Sequence, residues 1–341
     1  MLRAITDRLL HATEAPDLGT ALRRVGEYAA LRAWIAIIGC FPIEWNLHTG
    51  RLLGRIWWSS SRRHRERALE NLRPALGRDY SEAQLRAIAR RSFEHFAQLY
   101  TVEVALTPRL ISTWAWARHV ELGRLTAALR ALLAGRGCIL LTPHFGNYEL
   151  LGLTLCQLGL PITAVMRPLD NPLVNRFLVA SRERGGMQLL FKKGVSAVAG
   201  EILDRGGALS FIADQDAGRK GVFVEFFGRK ASTYKSIGLL AMQKRVPIVV
   251  GAAHRVGRRF RYHMDVERVI HPAEWEGRDD PLLWVTQEFS RAMEILIRRH
   301  PEQYLWVHRR WKHRPKEERA AADPTAAPAA VNGAPPAAGD D

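Results

Sequence analysis

Cys138-Ile-Leu-Leu-Thr-Pro-His-Phe-Gly-Asn-Tyr-Glu149 holds the transition on which the reading of this chain turns. The apolar run 139–141 has the character of a buried strand. Thr142, Pro143 and Gly146 mark a turn, and 149–158 continues as an apolar run with helical spacing. His144 and Glu149 therefore share a strand-to-helix turn, where Gly146 lets the backbone come close. A neutral imidazole can take a proton from an alcohol at neutral pH, and a neighbouring carboxylate fixes its tautomer and favours its charged form. A purely local reading competes: a histidine bonded within its turn, and a glutamate that opens a helix where the dipole favours it. The rest of the chain has to decide.

On either side of this segment the pattern is regular. Candidate strands fall at 139–141, 162–166, 189–191, 208–213, 222–226 and 247–251, with a further one at 258–266 after Gly257. Helical spacing occupies 149–158, 172–184, 195–205 and 234–245. Such alternation predicts an α/β fold, a sheet covered by helices. Ser81-x-x-Gln84 is a capping box, opening a helix with Leu85, Ile88, Phe96 and Leu99 on one face. Asp280-Pro281 starts another, with Leu282, Val285, Phe289, Met293 and Leu296 on its buried face, and His300-Pro301 ends it.

A chain of 341 residues with 47% hydrophobic content can bury a full core. Its 50 Lys and Arg against 34 Asp and Glu, net +16, favour polyanionic partners: nucleic acid, anionic lipid, a phosphorylated glycolipid or an acidic carrier protein. Three cysteines and no CxxC argue against a disulfide framework or a zinc cluster and fit a reducing compartment. No cleavable signal peptide is expected, because Asp7, Glu14 and Asp17 interrupt the start.

The expected organisation is a basic, membrane-associated helical segment at 1–70, an α/β domain at 71–315 and a disordered Ala/Pro-rich tail at 316–341. Residues 1–28 read as one amphipathic helix or a poorly ordered arm. The apolar run 33–41, closed by Pro42, is shorter than the roughly 20 residues a bilayer span needs. Trp34, Trp45, Trp57 and Trp58 surround it and Arg51, Arg55, Arg62, Arg63, Arg65 and Arg67 follow. That order suits a segment lying in a cytoplasmic membrane surface. A core helix with a solvated basic face is the alternative.

Three further segments carry chemistry. Arg167, in Met166-Arg167-Pro168, ends a candidate strand at the sheet edge that also delivers His144, and Asn171-Pro172, Arg176, Arg182 and Arg184 follow. Arginine there can hold a phosphate or carboxylate, or stabilise a developing oxyanion. Asp214, Asp216 and Glu225 occupy calcium-loop positions, but Arg219 stands where the loop needs glycine and strands flank it, so no metal is expected. These acids instead orient a neighbouring cation or a substrate hydroxyl. Pro301-Glu-Gln-Tyr-Leu-Trp-Val-His-Arg-Arg-Trp-Lys312 interleaves aromatics with Arg309, Arg310 and Lys312. It reads as a nucleic-acid surface, as a site for a phosphorylated lipid head group, or as a core strand with a basic end.

Taken in order, His144-Phe-Gly-Asn-Tyr-Glu149, Arg167-Pro168, Asn171-Pro172, Asp214-Gln-Asp216 with Phe226-Phe-Gly228, and the 301–312 segment resemble the bacterial lipid A biosynthesis late acyltransferases, the lauroyl and myristoyl transferases. The resemblance covers roughly 30–315. It implies a mixed, lysophospholipid-acyltransferase-like α/β sheet, and transfer of an acyl chain from acyl carrier protein to a hydroxyl of a lipid A precursor at the cytoplasmic face of the inner membrane. It implies His144 as general base with Glu149 as its partner, Arg182 as an arginine important for activity, and Asp214 and Asp216 as the family's acidic pair with an open role. The residues expected to bind substrate are Gly146, Asn147, Arg167, Arg182, Asp214, Asp216, Arg309 and Arg310. No cofactor is implied. Glu225 departs from the family's usual proline before Phe-Phe-Gly, which leaves the acceptor open to another glycolipid or a phospholipid. A basic nucleic-acid-binding protein is the reading from a different class, and nothing in it calls for a poised His144.

Overall fold

Seven strands form one sheet, and their order explains why distant segments meet. The computed structural model describes residues 2–160, 162–191, 195–315 and 318. In chain order the strands are β1 (Val120–Leu122), β2 (Cys138–Thr142), β3 (Ile162–Met166), β4 (Gln188–Phe191), β5 (Ala208–Ile212), β6 (Val222–Phe226), β7 (Arg229–Thr233), β8 (Ile248–Arg255) and β9 (Tyr262–Ile270). The sheet runs β1-β9-β8-β2-β5-β3-β4, with β6 and β7 as a separate antiparallel hairpin. Neighbours from β8 to β4 are parallel, β9 is antiparallel to β8, and β1 is parallel to β9. The fold is mixed α/β, as the alternation implies.

The helices are α1 (Leu2–Thr13), α2 (Leu18–Gly39), α3 (Ile43–Ser60), α4 (Arg62–Leu76), α5 (Glu82–Gln98), α6 (Val104–Leu110), α7 (Thr126–Leu133), α8 (Tyr148–Gln157), α9 (Pro172–Arg184), α10 (Val195–Asp204), α11 (Lys235–Lys244) and α12 (Pro281–Arg299). Start signals act as read. Ser81 and Gln84 make the reciprocal capping box, and Asp280 accepts from the Leu283 amide at 2.9 Å. The start of the chain differs: two helices break at Ala15-Pro16, and Asp17 caps the second through the Thr20 amide at 2.8 Å.

All of β2 is buried because parallel interior strands are covered on both faces. Ile139 and Leu141 point into a cluster with Leu209, Ile248, Phe289 and Met293. Cys138 and Leu140 point the other way, towards Ala128 and Leu132 of α7. Each fully buried aliphatic side chain contributes about 1.5–3 kcal/mol, so the central strand is firmly seated. Its last residue Thr142 pairs with Ile212 of β5. Residues two positions beyond each strand end, His144 and Asp214, are thereby brought side by side.

The N-terminal helices pack on this body. A Cβ at Gly54 would lie 2.4 Å from the Glu94 Cα, so α3 seats its glycine face directly on α5. Trp57 packs at a tilt and Trp58 edge-on against Phe93, at 4.3 and 5.3 Å, and the Trp34 indole donates to the Thr101 carbonyl at 2.6 Å. Three of the four tryptophans grouped with the apolar run therefore turn inward, and Trp45 stays 65% exposed. Among the described residues no helix is long and apolar enough to cross a membrane. The 301–312 segment is no strand. It is a short turn at Pro301–Gln303 followed by bends, with one bridge between Tyr304 and Phe145. The tail 316–341 lies outside the described residues except for Glu318.

Candidate active site

At the carboxyl end of the sheet, where open α/β folds gather their ligands, His144 Nδ1 lies 2.7 Å from Asp214 Oδ1. The other oxygen, Oδ2, accepts from the His144 backbone N–H at 3.0 Å. Burial alone would push the Asp214 carboxyl up, but the charge and hydrogen bonds of His144 outweigh it and hold the group far below the usual carboxylate range. An ionised Asp214 accepts only, so the imidazole proton sits on Nδ1 and Nε2 is left as the basic nitrogen. This corrects the expected pairing: the carboxylate that orients His144 is Asp214.

Glu149 does something else. It stands in the first turn of α8, and the helix aims it at α9, where its two oxygens hold Arg182 Nε, at 3.0 Å, and Nη2. Arg182 is thus a partner of Glu149. The backbone amides from 144 to 147 are all occupied. His144 N–H serves Asp214, Phe145 serves the Pro143 carbonyl, Gly146 the Gln303 carbonyl and Asn147 the Ala253 carbonyl. Gly146 is needed for its φ of +57° and because a Cβ would lie 2.0 Å from the Ala253 oxygen. Asn147, also expected at substrate, is fully buried. It caps α8 through the Leu150 amide and donates from Nδ2 to Glu103, both at 2.8 Å.

Arg310 is likewise no surface contact. It is fully buried, with Nη1 donating to the Gln215 and Ser232 carbonyls and Nη2 to Thr233 Oγ1 at 2.6 Å. It ties the loop after β5 to β7 and so steadies Asp214. Asp216 accepts from His313 Nδ1 at 2.6 Å, while Glu225 faces Lys230 at 3.7 Å. The three acids of the calcium-like pattern diverge, and among the described residues no group of three or more His, Cys, Asp or Glu side chains could hold a metal. Arg167 and Arg309 are exposed, Arg167 with only a 3.8 Å contact to Asp170.

Sequence reasoning missed three residues at this centre. The His308 ring lies 4.8 Å from the His144 ring, and burial pushes its pKa down. Tyr148 packs edge-on at 5.9 Å from the same imidazole. His95 of α5 is buried with Nε2 3.0 Å from the Gly146 carbonyl. His308 and Tyr148 sat inside the motifs already read, flagged only by residue type; His95 had no signal beyond a polar residue on an apolar helical face.

Burial pushes His95 down to about 4, Arg255 acting in the same direction and Glu103 against it. Between about pH 6.5 and 4 the unfolded chain binds a proton that the folded chain refuses. This contribution to stability is therefore complete above pH 6.5 and falls, by up to about 3 kcal/mol, as the pH drops towards 4. Unfolding free energies measured across that window should decline less steeply for His95→Gln. Parallel declines would refute the assignment.

His144 faces a cavity of about 740 Å³, within the range of small-molecule pockets. Tyr148, Glu149, Arg167, Arg182 and Tyr234 surround its polar end. Leu155, Leu140, Val249, Leu125 just before α7, and Leu129 and Leu132 within it carry it on between sheet and helices as an apolar channel. Neither Cys138 nor Cys156 offers a nucleophile here, because burial pushes their thiols up to about 12 and about 11. A base beside an apolar channel suits activation of a hydroxyl against a substrate with a long hydrocarbon chain.

Comparison with known proteins bears on that chemistry. Residues 19–313 match a family described as bacterial lipid A biosynthesis acyltransferase. The chain is 31% identical over 193 residues to the lipid A biosynthesis palmitoleoyltransferase of Escherichia coli (strain K12), covering 55% of this chain and 60% of that protein. It is 25% identical over 290 residues to the lipid A biosynthesis lauroyltransferase of the same organism, covering 83% and 90%. A shorter similarity, 36% over 102 residues, reaches the phosphatidylinositol mannoside acyltransferase of Mycolicibacterium smegmatis (strain ATCC 700084 / mc(2)155), covering 29% and 34%. The match thus spans about three fifths of the length of the palmitoleoyltransferase.

Proposed function

The chain belongs to the bacterial lipid A biosynthesis acyltransferase family, and from that membership we propose that it moves a fatty acyl chain from acyl carrier protein to a hydroxyl of a lipid A precursor, with His144 as general base. The observation that carries this reading is the His144–Asp214 pair at the polar end of the apolar channel. The channel takes the acyl chain, each buried methylene contributing about 0.8 kcal/mol, and leaves the thioester carbonyl beside His144.

Nε2 takes the proton of the acceptor hydroxyl as its oxygen bonds to the carbonyl carbon. Asp214 stabilises the imidazolium, the C–S bond breaks, and the proton passes to the departing thiolate. With the amides at 144–147 occupied, Arg167 at the same end of the cavity meets the tetrahedral oxyanion. The net charge of +16 attracts the acidic carrier protein. Purified protein, supplied with acyl carrier protein thioesters of several lengths and a lipid A precursor, should give an acylated product by mass spectrometry, and His144→Ala should abolish it. Turnover by the alanine variant at the native rate would sink this mechanism. A second acceptor class, phosphatidylinositol mannosides, is worth assaying because of the similarity to the mycobacterial enzyme.

The reading also puts the enzyme at the cytoplasmic face of the bacterial inner membrane. Trp45, Leu52 and Ile56 are more than half exposed and, at 3.6 residues per turn, form one stripe of α3 opposite Gly50 and Gly54. Such a stripe beside Arg51 and Arg55 suits a helix lying in an anionic lipid surface. Flotation with phosphatidylglycerol vesicles should be retained by the native chain and reduced in Trp45→Ser/Leu52→Ser/Ile56→Ser. Equal flotation of both proteins would count against this surface.

A further inference from the structure

The channel occupies one flank of His144; a different chemistry occupies the other. Arg63, Arg67 and Asn71 recur every four residues and so share one face of α4. Asn71 Nδ2 donates to the carbonyls of both Trp306 and His308 at 2.8 Å, clamping that face to the C-terminal segment. One turn from the clamp, Arg67 lies near enough to His308 and Arg309 for their charges to act on one another, and the His308 ring lies 4.8 Å from that of His144. None of Arg63, Arg67, His308 or Arg309 lines the channel.

The charges of these arginines oppose one another with little compensation. Burial, then the charges of Arg309 and Arg63, disfavour the charged form of Arg67, and Glu70, one turn along α4, is the one acid that opposes them. Arg63 and Arg309 are exposed and Arg67 half-buried. Among the described residues the guanidinium group of none of the three makes an ion pair or a hydrogen bond, whereas those of Arg55, Arg65 and Arg73 do. Guanidinium groups gathered this way hold free N–H forks matched to the oxygens of a phosphate.

We propose that Arg63, Arg67 and Arg309 form a binding site for a phosphate ester of a substrate, on the flank of His144 opposite the acyl channel. The proposal rests on the acyltransferase reading for its two sources of phosphate: a phosphate on the sugar of the acceptor glycolipid, or the phosphodiester of the donor's phosphopantetheine arm. With the donor's chain in the channel, the acceptor hydroxyl approaches His144 from the arginine side, and a sugar phosphate then falls within reach of the forks.

Two exposed residues make the first test safe for folding: Arg63→Ala/Arg309→Ala, with Arg67→Ala beside it. Initial rates are measured with a phosphorylated lipid A precursor and its phosphatase-treated counterpart, and separately with acyl-phosphopantetheine and acyl-pantetheine as minimal donors. The variants should raise KM for the phosphorylated acceptor about tenfold or more, with kcat changed less than about threefold and the dephosphorylated acceptor unaffected. The same split on the donor arm instead supports the site and assigns it to the phosphopantetheine. Unchanged discrimination between phosphorylated and dephosphorylated substrates on both arms overturns the proposal. Calorimetric binding of the phosphorylated precursor to His144→Ala protein gives a readout without turnover. Arginine-dependent binding there supports the site even if the native chain transfers no acyl group, an outcome that would sink only the functional reading.

Discussion

Asp214→Asn should lower kcat about 10⁴-fold while the chain stays folded, the size of loss that follows when a catalytic imidazole loses its carboxylate partner. The reason lies in how both oxygens are used. Oδ1 takes the ring Nδ1–H at 2.7 Å and Oδ2 the His144 backbone N–H at 3.0 Å. An asparagine has one oxygen. If it satisfies the backbone N–H, its amide NH₂ faces Nδ1, forces the proton onto Nε2 and removes the base. If it turns to the ring, two donors oppose each other in a buried pocket. Either way the imidazolium formed in the transition state has lost its compensating charge.

Glu149→Gln is the contrasting substitution. It leaves the His144–Asp214 pair intact and weakens the hold on Arg182, so its kcat should fall far less. Single-turnover rates of acyl transfer, with circular dichroism to check folding, separate the two. A Glu149→Gln chain as inactive as His144→Ala, next to an active Asp214→Asn chain, would restore Glu149 as the imidazole's partner.

That comparison shows where the sequence stopped speaking. Strand-to-helix alternation was legible because short apolar runs, bounded by turn residues, have few other structures open to them. From it came His144 at a sheet-edge turn, along with Asp214 and Arg167 at the ends of other strands. Which strands are neighbours was not legible. The pairing of β2 with β5 joins residues 70 apart, and no local pattern encodes it. Glu149 drew attention by nearness in sequence, but the N-terminal turn of α8 rotates its side chain towards α9. Arg309 and Arg310 were read together, and only the packing around Phe226 and Thr233 separates the buried one from its exposed neighbour. The apolar channel was invisible for a similar reason: its walls come from β2, β3, β5, β8, β9, α7, α8, α9 and α11, elements scattered along the chain that no local pattern brings together.

Behind His144 and Asp214 lies a cluster that no motif announced, and removing its centre should have the largest effect on stability. Glu103 is fully buried; it accepts from Asn147 Nδ2 at 2.8 Å, from the Tyr262 hydroxyl at 2.5 Å and from the Arg255 guanidinium. Glu103→Ala strands a buried arginine and should destabilise the chain by about 3–5 kcal/mol, whereas an apolar replacement of both partners can be close to neutral. Glu103→Leu/Arg255→Met should therefore recover most of the loss in urea unfolding. Catalysis should not recover with it. Asn147 caps the helix whose first turn flanks His144, and without Glu103 its Nδ2 loses its carboxylate acceptor, so the turn loosens and kcat stays low. A double variant with native stability and native kcat would make the cluster a matter of folding alone; native stability with depressed kcat would identify Glu103 as a residue that positions the turn carrying His144.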